Sequence, residues 1–246
     1  MAEIAADPDE AGRPDVRPAL PRGLLAEIGT RASDLAYARL LGLIVDLQLA
    51  PGSFVNEAAL AESLGFGRMP VREAIARLAA EGFLNTLPRR GTVVVELSIE
   101  EARQLFEARE ALQCGLARIA ARRCRSPEPG SRPVELSIEL RDLVDRAESA
   151  RDVADPEQFL LADCEVHLGL CRLAGNRWLS GPTQQLLLHN LRFWRHYFRA
   201  VPTRKASMVS HLDALAAVEA GDEDAAERAM REHLTHSRAL LDALFR

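Results

Sequence analysis

The most constraining feature of the sequence is a pair of short amphipathic segments joined by a glycine-containing turn, within residues 57–80. Apolar residues recur at helical spacing in both segments: Leu60, Ala61 and Leu64 in the first, and Val71, Ile75 and Leu78 in the second. The first helix is predicted to end at Gly65, and only a few residues separate it from the second. Two helices in this arrangement form a helix-turn-helix, whose second helix can lie in the major groove of DNA.

Basic residues accompany this motif. Arg68 and Arg72 are four residues apart, so they project from one side of the second helix near its N-terminal end, which meets bases and phosphates in such motifs. Two β-prone stretches, residues 83–85 and 93–95, flank Arg89, Arg90 and Gly91. The sequence therefore predicts a hairpin wing whose tip could reach an adjacent groove or phosphate.

The distribution of charge fits DNA binding better than the total does. The formal net charge is −5, but the segment from Arg68 to Arg90 contains five arginines and two glutamates. The acidic residues concentrate near the N-terminus and in the C-terminal half. For binding to nucleic acid, the location of the basic residues matters more than the net charge of the chain.

Composition bounds the rest of the molecule. The chain has 246 residues, is 48% hydrophobic and has only 5% aromatic residues, which favours a mainly α protein of two modest domains. No apolar run approaches the ~20 residues needed to span a bilayer, so we expect a cytoplasmic protein with no membrane partner. Residues 1–32 are predicted to be a disordered tail, residues 33–97 a winged helix-turn-helix domain, and residues 98–246 a helical domain.

The helical domain is predicted to be an antiparallel bundle of about six helices. A capping box at Ser98 to Glu101 begins a long helix that reaches roughly Arg125. Further helices are expected near 134–151, 156–175, 179–200, 203–220 and 222–245. The predicted breaks between them are Asp155-Pro156, Gly175-Asn176, Gly181-Pro182, Val201-Pro202 and Gly221-Asp222. The four cysteines form no C-x-x-C pair and are expected to be reduced thiols.

A possible metal site is spread over three of these helices. Asp163 and His167 are four residues apart and share one face of a predicted helix. That spacing alone is weak evidence, because such a pair is more often a surface contact or a satisfied core pair. His211 and His233 lie in later helices that could converge on the same pair inside a bundle.

The segment from Pro51 to Thr92 resembles the winged-helix domain of GntR-type bacterial transcription regulators. The matching positions are Pro51, Gly52, Glu57, Leu60, Ala61, Leu64, Gly65, Arg68, Pro70, Val71, Arg72, Glu73, Ala74, Arg77, Leu78, Glu81, Gly82 and Gly91. Gly67 replaces the usual Ser or Thr, Met69 replaces the usual Thr, and Ala58 stands where some members carry an arginine. These departures bear on the operator sequence rather than on the fold. The resemblance implies DNA contacts by Arg68, Met69, Arg72, Arg77, Arg89, Arg90 and Gly91.

The region after Ser98 resembles the FCD ligand-sensing domain of the FadR subfamily of these regulators. The resemblance rests on segments 106–112, 163–176, 211 and 221–234. It implies that a divalent metal, zinc or else nickel or manganese, is held by Asp163, His167, His211 and His233. It also implies that Arg109 binds a small carboxylate effector. The alternative for Arg109 is an exposed residue paired with Glu107 or Glu110.

Three readings of function follow. The first is a transcription regulator that binds a palindromic operator as a homodimer and responds to a small organic acid. The second is a metal-dependent hydrolase or lyase fused to a winged helix, and the third is a regulator that has lost its metal or effector. His189, His196 and His236 match no family role; they could be pocket, surface or dimer residues, and the surface is the default expectation. An aromatic cluster at residues 193–198 is expected to pack in the core or, second, to line the pocket.

Overall fold

A computed structural model describes residues 20–25, 28–125, 133–153, 155–197 and 204–244. Most of the predicted tail, including residues 1–19, lies outside these ranges. The prediction of disorder is wrong for residues 20–25, where helix α1 (Arg22–Leu25) contacts helix α7 (Pro156–Ala174). Leu20 and Leu24, four residues apart, are both buried. Two spaced leucines thus pack in a segment whose average composition is polar.

The N-terminal part is a winged helix-turn-helix, as predicted. It contains helix α2 (Ala32–Val45), helix α3 (Glu57–Leu64) and helix α4 (Arg68–Ala80). Strands β1 (Phe54–Val55), β2 (Leu84–Leu87) and β3 (Gly91–Val94) form an antiparallel sheet in the order β1-β3-β2. Strand β1 was not predicted, because two residues are too few to show a strand pattern.

Local chemistry sets the geometry between α3 and α4. The side chain of Asn56 caps α3 by accepting hydrogen bonds from the backbone N–H groups of Ala58 and Ala59. Gly65 ends α3 in the left-handed conformation with φ of 69°, which glycine adopts without steric cost. Gly67 precedes α4 and offers no side-chain cap. The first N–H groups of α4 therefore remain available to an outside acceptor such as a phosphate.

The C-terminal part is a bundle of six helices within the described residues. They are α5 (Ile99–Arg125), α6 (Pro133–Ala150), α7, α8 (Arg177–Tyr197), α9 (Arg204–Glu219) and α10 (Glu223–Leu244). The Ser98 hydroxyl accepts from the Glu101 N–H at 3.1 Å, which is half of the predicted capping box. Helix α5 is central and packs against α7, α8, α9 and α10. No helix in the described ranges is long and apolar enough to cross a membrane.

One predicted break between helices is wrong. Helix α8 begins at Arg177 and continues through Gly181 and Pro182. Pro182 is the sixth residue of α8, so its missing N–H removes only a bond to the carbonyl of Trp178 in the exposed first turn. The helix can therefore continue past the proline. The predicted break at Val201-Pro202 lies outside the described residues.

The bundle interior accounts for the cysteines and aromatic residues. Cys114, Cys164 and Cys171 are buried, Cys124 is half-buried, and all four are free. Burial raises the pKa of Cys114 to about 11, so this thiol stays protonated at neutral pH. Phe193 and Trp194 are buried, and Trp194 packs edge-on against Phe106 with ring centroids 6.2 Å apart. The aromatic cluster is thus part of the core where the structure describes it.

Candidate functional site

Asp163, His167, His211 and His233 meet in the interior of the bundle. Helix α7 supplies Asp163 and His167, α9 supplies His211 and α10 supplies His233, and all four side chains are buried. Their candidate ligand atoms all lie within 4.8 Å of one another. Nε2 of His211 is 3.2 Å from Nε2 of His167 and 3.7 Å from Oδ1 of Asp163. The structure therefore brings together the four residues that the sequence singled out.

The spacing of these atoms fits a metal ion. Bonds of ~2.1 Å to zinc place neighbouring ligand atoms about 3.0 to 3.4 Å apart, depending on the coordination angle. The separations of 3.2 and 3.7 Å are close to that range, and Nε2 of His167 is 3.9 Å from Oδ2 of Asp163. Nε2 of His233 has no hydrogen-bond partner among the described residues. A buried nitrogen without a partner is unfavourable unless something else binds it.

The protonation of the three imidazoles also suits metal binding. Burial lowers the pKa of His211, and it lowers the pKa of His167 and His233 to well below 6.5. Neutral imidazoles offer a lone pair to a metal. The Ser210 hydroxyl donates to the carbonyl of Ser207 at 2.8 Å and lies 3.1 Å from Nδ1 of His233. It can thus accept the proton of Nδ1, which leaves the lone pair of His233 on Nε2.

Arg109 borders this cluster. Its side chain is 1% exposed, Nη1 donates to Oδ1 of Asn190 at 2.6 Å, and Nη2 lies 3.2 Å from Nε2 of His167. Burial lowers the pKa of Arg109, and the carboxylate of Asp163 opposes that shift. A guanidinium placed here can bind a carboxylate with two parallel hydrogen bonds.

The alternative placement of Arg109 on the surface is wrong. Glu110, one of its suggested partners, pairs with Arg231 at 2.5 Å. Glu107, the other, lies 3.6 Å from Arg238. The two glutamates are on the side of α5 that faces α10 and solvent, whereas Arg109 is on its buried side.

Gln113 is a buried polar residue that sequence reasoning did not assign to the site. It is 2% exposed, and neither amide atom has a hydrogen-bond partner in the part of the chain that the structure describes. Gln113 follows Arg109 by four residues, so both lie on one face of α5. That spacing was the available signal. A buried amide without partners is costly in a bundle interior unless a ligand or water satisfies it.

The predicted DNA-contacting residues lie mainly at two exposed places. Arg68, Met69 and Arg72 are exposed at the N-terminal end of α4, and the side chain of Met69 is 61% exposed. Nε of Arg72 lies 3.4 Å from a carboxylate oxygen of Glu57, an exposed contact that a phosphate could replace. Arg89, Arg90 and Gly91 are exposed at the tip of the β2–β3 hairpin, as predicted for a wing.

Arg77 lies apart from these residues. It is nine residues from Arg68, which is about 13.5 Å along the helix axis. Its guanidinium lies over the ring of Tyr37, 3.6 Å from the centroid, and its Nε donates to Glu81 at 2.9 Å. These contacts hold Arg77 at the C-terminal end of α4.

The remaining histidines differ in their placement. His196 and His236 are exposed, as expected. The expected surface position is wrong for His189, which is partly buried where α8 packs against the N-terminal part. Its ring stacks on Phe83, with centroids 3.9 Å apart and planes 2° from parallel. Nothing in the sequence pattern marks a contact between segments so far apart in the chain.

Both parts of the chain match known protein families, and relatives that align with most of its length are known. Residues 32–94 match the model described as bacterial regulatory proteins, gntR family, and residues 104–236 match the FCD domain. An uncharacterized HTH-type transcriptional regulator in an unstable DNA locus of Streptomyces ambofaciens is 31% identical over 216 residues, covering 85% of this chain and 84% of the relative. The HTH-type transcriptional repressor RspR of Escherichia coli K12 is 29% identical over 198 residues, covering 78% and 80% of the two chains.

Solved structures share the fold. Escherichia coli McbR/YncC superimposes with a TM-score of 0.69 at 21% identity, over 91% of this chain and 99% of that one. A putative GntR transcriptional regulator from Rhodococcus sp. RHA1 gives a TM-score of 0.68 at 19% identity, over 89% and 100% of the two chains. At these identities the likeness supports the arrangement of helices and wing, and it says nothing about the ligand.

Proposed function

The chain belongs to the GntR family of bacterial regulatory proteins, as a DNA-binding transcription regulator with an FCD ligand-binding domain, and we propose that a small carboxylate in that domain controls its binding to DNA. The acid would bind between a divalent metal and Arg109. The domain boundaries that we propose are 33–97 for reading DNA and 98–246 for sensing and dimerisation.

The observation that carries this proposal is the closeness of Arg109 to the four-residue cluster. Nη2 of Arg109 is 3.2 Å from Nε2 of His167, one of the candidate metal ligands. A metal ion and a guanidinium that lie side by side in a buried site strongly favour an anion. The metal would be zinc, or else nickel or manganese, since oxygen and imidazole ligands without a thiolate suit all three.

The chain's own residues would divide the work. Asp163 and the three histidines would hold the metal, which supplies open coordination positions to an acid when bound. Arg109 would bind the carboxylate and fix its orientation. Gln113, whose amide has both a donor and an acceptor free of partners among the described residues, would contact a further polar group of the acid.

On the DNA side, we propose that Arg68, Met69 and Arg72 enter the major groove and that Arg89, Arg90 and Gly91 follow the backbone beside it. A homodimer would place two such readers on a palindromic operator. Arg77 is in the family pattern, but it is held by Tyr37 and Glu81. We therefore propose that Arg77 mainly positions α4, rather than contacting phosphate.

A calorimetric screen of small organic acids against the zinc-loaded protein tests the sensing site. We expect one class of acid to bind, and Arg109→Gln to weaken that binding at least tenfold while zinc content stays unchanged. Arg103→Gln is the matched control, because Arg103 lies on the same helix with an exposed side chain paired to Asp242. Acid affinity that is unchanged in Arg109→Gln would remove Arg109 from the site. Turnover of any acid or ester would favour the hydrolase or lyase alternative.

A further inference from the structure

Helix α8 contacts both the sensing site and the DNA-reading helix. Asn190 of α8 accepts a hydrogen bond from Arg109 at 2.6 Å. Gln185 and His189, on the same helix, contact the C-terminal end of α4. One rigid element therefore joins the arginine of the sensing site to the helix that carries Arg68 and Arg72.

The contact with α4 is made at Glu81, which ends that helix. The backbone carbonyl of Glu81 is 2.8 Å from Nε2 of Gln185 and 2.9 Å from Nε2 of His189. The last carbonyls of a helix have no partner within the helix. Two side chains from α8 therefore complete the C-terminal cap of α4.

Other contacts make this cap well defined. The ring of His189 is stacked on Phe83 at 3.9 Å, just beyond the capped residue. The carboxylate of Glu81 accepts from the Tyr37 hydroxyl at 2.7 Å and from Arg77 at 2.9 Å. Glu81 is thus held by its side chain from the DNA-binding domain and by its backbone from the sensing domain.

Arg192, three residues beyond His189, donates to the backbone carbonyl of Val95, which follows the wing. Arg195 donates to the carboxylate of Asp46 at 2.6 Å, immediately after α2. Side chains of α8 thus bind the N-terminal part at three places: the end of α4, the end of α2 and the exit of the wing.

We propose that Gln185 and His189 are positioning residues that set the placement of α4 from the sensing domain, and that Asn190 passes the state of Arg109 to them. The role of Gln185 and His189 follows from the contacts of α8 alone, whereas the role of Asn190 rests on the proposed function.

The physical reason for the link lies in competing contacts of Arg109. Its Nη2 lies beside Nε2 of His167, so it must move when that nitrogen binds a metal ion. A carboxylate that binds the guanidinium reorients it, and Nη1, which donates to Oδ1 of Asn190, moves with the planar group. Either event changes the hydrogen bond that holds α8 at Asn190. Coupling between sites of this kind typically changes affinity about 5- to 150-fold.

The cap is tested on the full-length, zinc-free protein by hydrogen exchange. We expect the double variant Gln185→Leu/His189→Phe to speed exchange of the amides of Gly82 and Phe83 at least tenfold, while amides of α5 and α10 keep their rates. Phenylalanine at position 189 keeps the stacked ring and removes only the donor. His196→Phe is the control, since His196 is exposed on the same helix. Unchanged exchange rates at Gly82 and Phe83 in the double variant would refute the proposed capping of α4 by Gln185 and His189.

The link to Arg109 is tested with zinc as the probe. We expect zinc to change exchange at Gly82 and Phe83 at least threefold in the wild type and not in Asn190→Leu, with equal zinc stoichiometry in both proteins. Zinc binding without any change in the wild type, or with the same change in Asn190→Leu, would overturn the link. Failure of zinc to bind at all would instead refute the proposed metal site and with it the link, while the zinc-free measurement still decides the cap.

Discussion

Replacement of His211 by alanine tests the metal cluster by its effect on stability. His211 is fully buried and its Nε2 is close to both His167 and Asp163. If these residues hold zinc, the variant should lose the metal and the stabilisation that metal binding adds to the folded state. The matched control is His236→Ala, since His236 is exposed on α10, three residues beyond His233.

The expected magnitude follows from binding linkage. A ligand at 100 times its dissociation constant stabilises the folded state by about 2.7 kcal/mol. For a chain of this size that corresponds to a shift of roughly 5–11 °C in the melting temperature. His211→Ala should lose the zinc-dependent part of the shift, whereas His236→Ala should stay within about 0.5 kcal/mol of wild type, as exposed substitutions usually do.

In the zinc-free protein, the same histidines give the free energy of unfolding a defined pH dependence. The folded-state pKa values of His167, His211 and His233 are lowered by burial, while unfolded histidine titrates near 6.5. Below pH ~6.5 the unfolded state therefore binds more protons, so stability falls as the pH falls. The slope is up to about 1.4 kcal/mol per pH unit for each imidazole that protonates only on unfolding. His211→Ala should remove one such contribution.

Thermal and urea unfolding, with and without zinc and between pH 5 and pH 8, would measure both effects, with metal content determined on each protein. Loss of metal in His211→Ala but not in His236→Ala is the expected result. Full metal stoichiometry in both His211→Ala and His233→Ala would mean that other residues hold the ion.

Three further predictions concern DNA, assembly and the sensing site. Arg72→Ala should reduce the slope of log affinity for a selected duplex against log salt concentration by about 0.9 per lost phosphate contact. Arg68→Ala should weaken the binding free energy by ~1–3 kcal/mol if that arginine contacts a base. Wild-type affinity of both variants in gel-shift titrations would refute the docking of α4. Light scattering should show a dimer for the full chain and for residues 98–246, and a monomeric fragment would move the interface elsewhere. Gln113→Leu should weaken binding of the acid about tenfold in calorimetry without loss of zinc, and an unchanged affinity would mean that Gln113 contacts only water.

Local patterns were enough to predict the helix-turn-helix and most helices of the bundle. The period of Val71, Ile75 and Leu78 matches their burial in α4, and Gly65 ends α3 as predicted. These features depend on neighbours three or four residues apart, which the sequence shows directly. Helix α8 was expected near 179–200 with a break at Gly181-Pro182, and it instead runs unbroken from Arg177, because Pro182 lies close enough to the N-terminal end to be tolerated.

The meeting of Asp163 with three histidines could be expected only in part. Spacing alone predicted that Asp163 and His167 share a face. His211 and His233 were candidates because their helices could converge on that pair, and the family resemblance then implied all four as ligands. Only the family resemblance implied that Arg109 lies near the cluster. Its contacts with His167 and Asn190 had no sequence signal, because they depend on how α5, α7 and α8 pack.

The contacts of α8 with the DNA-binding domain were also beyond sequence patterns. His189 and Glu81 are 108 residues apart, and the acceptor is a backbone carbonyl that every residue possesses. Such a contact leaves no compositional trace. It depends on how the N-terminal part and the helical bundle are placed relative to each other.

The most direct test of the central claim is a titration of operator binding with the acid found by calorimetry, on zinc-loaded and zinc-stripped protein. Duplexes selected by the wild-type protein from a random pool would serve as the operator. We expect the acid to change the dissociation constant for DNA about 5- to 150-fold in the zinc-loaded wild type and to have no effect in Arg109→Gln, whose affinity without the acid stays close to wild type. An acid that changes DNA affinity equally after zinc is removed, or equally in Arg109→Gln, would contradict control through a carboxylate bound between the metal and Arg109.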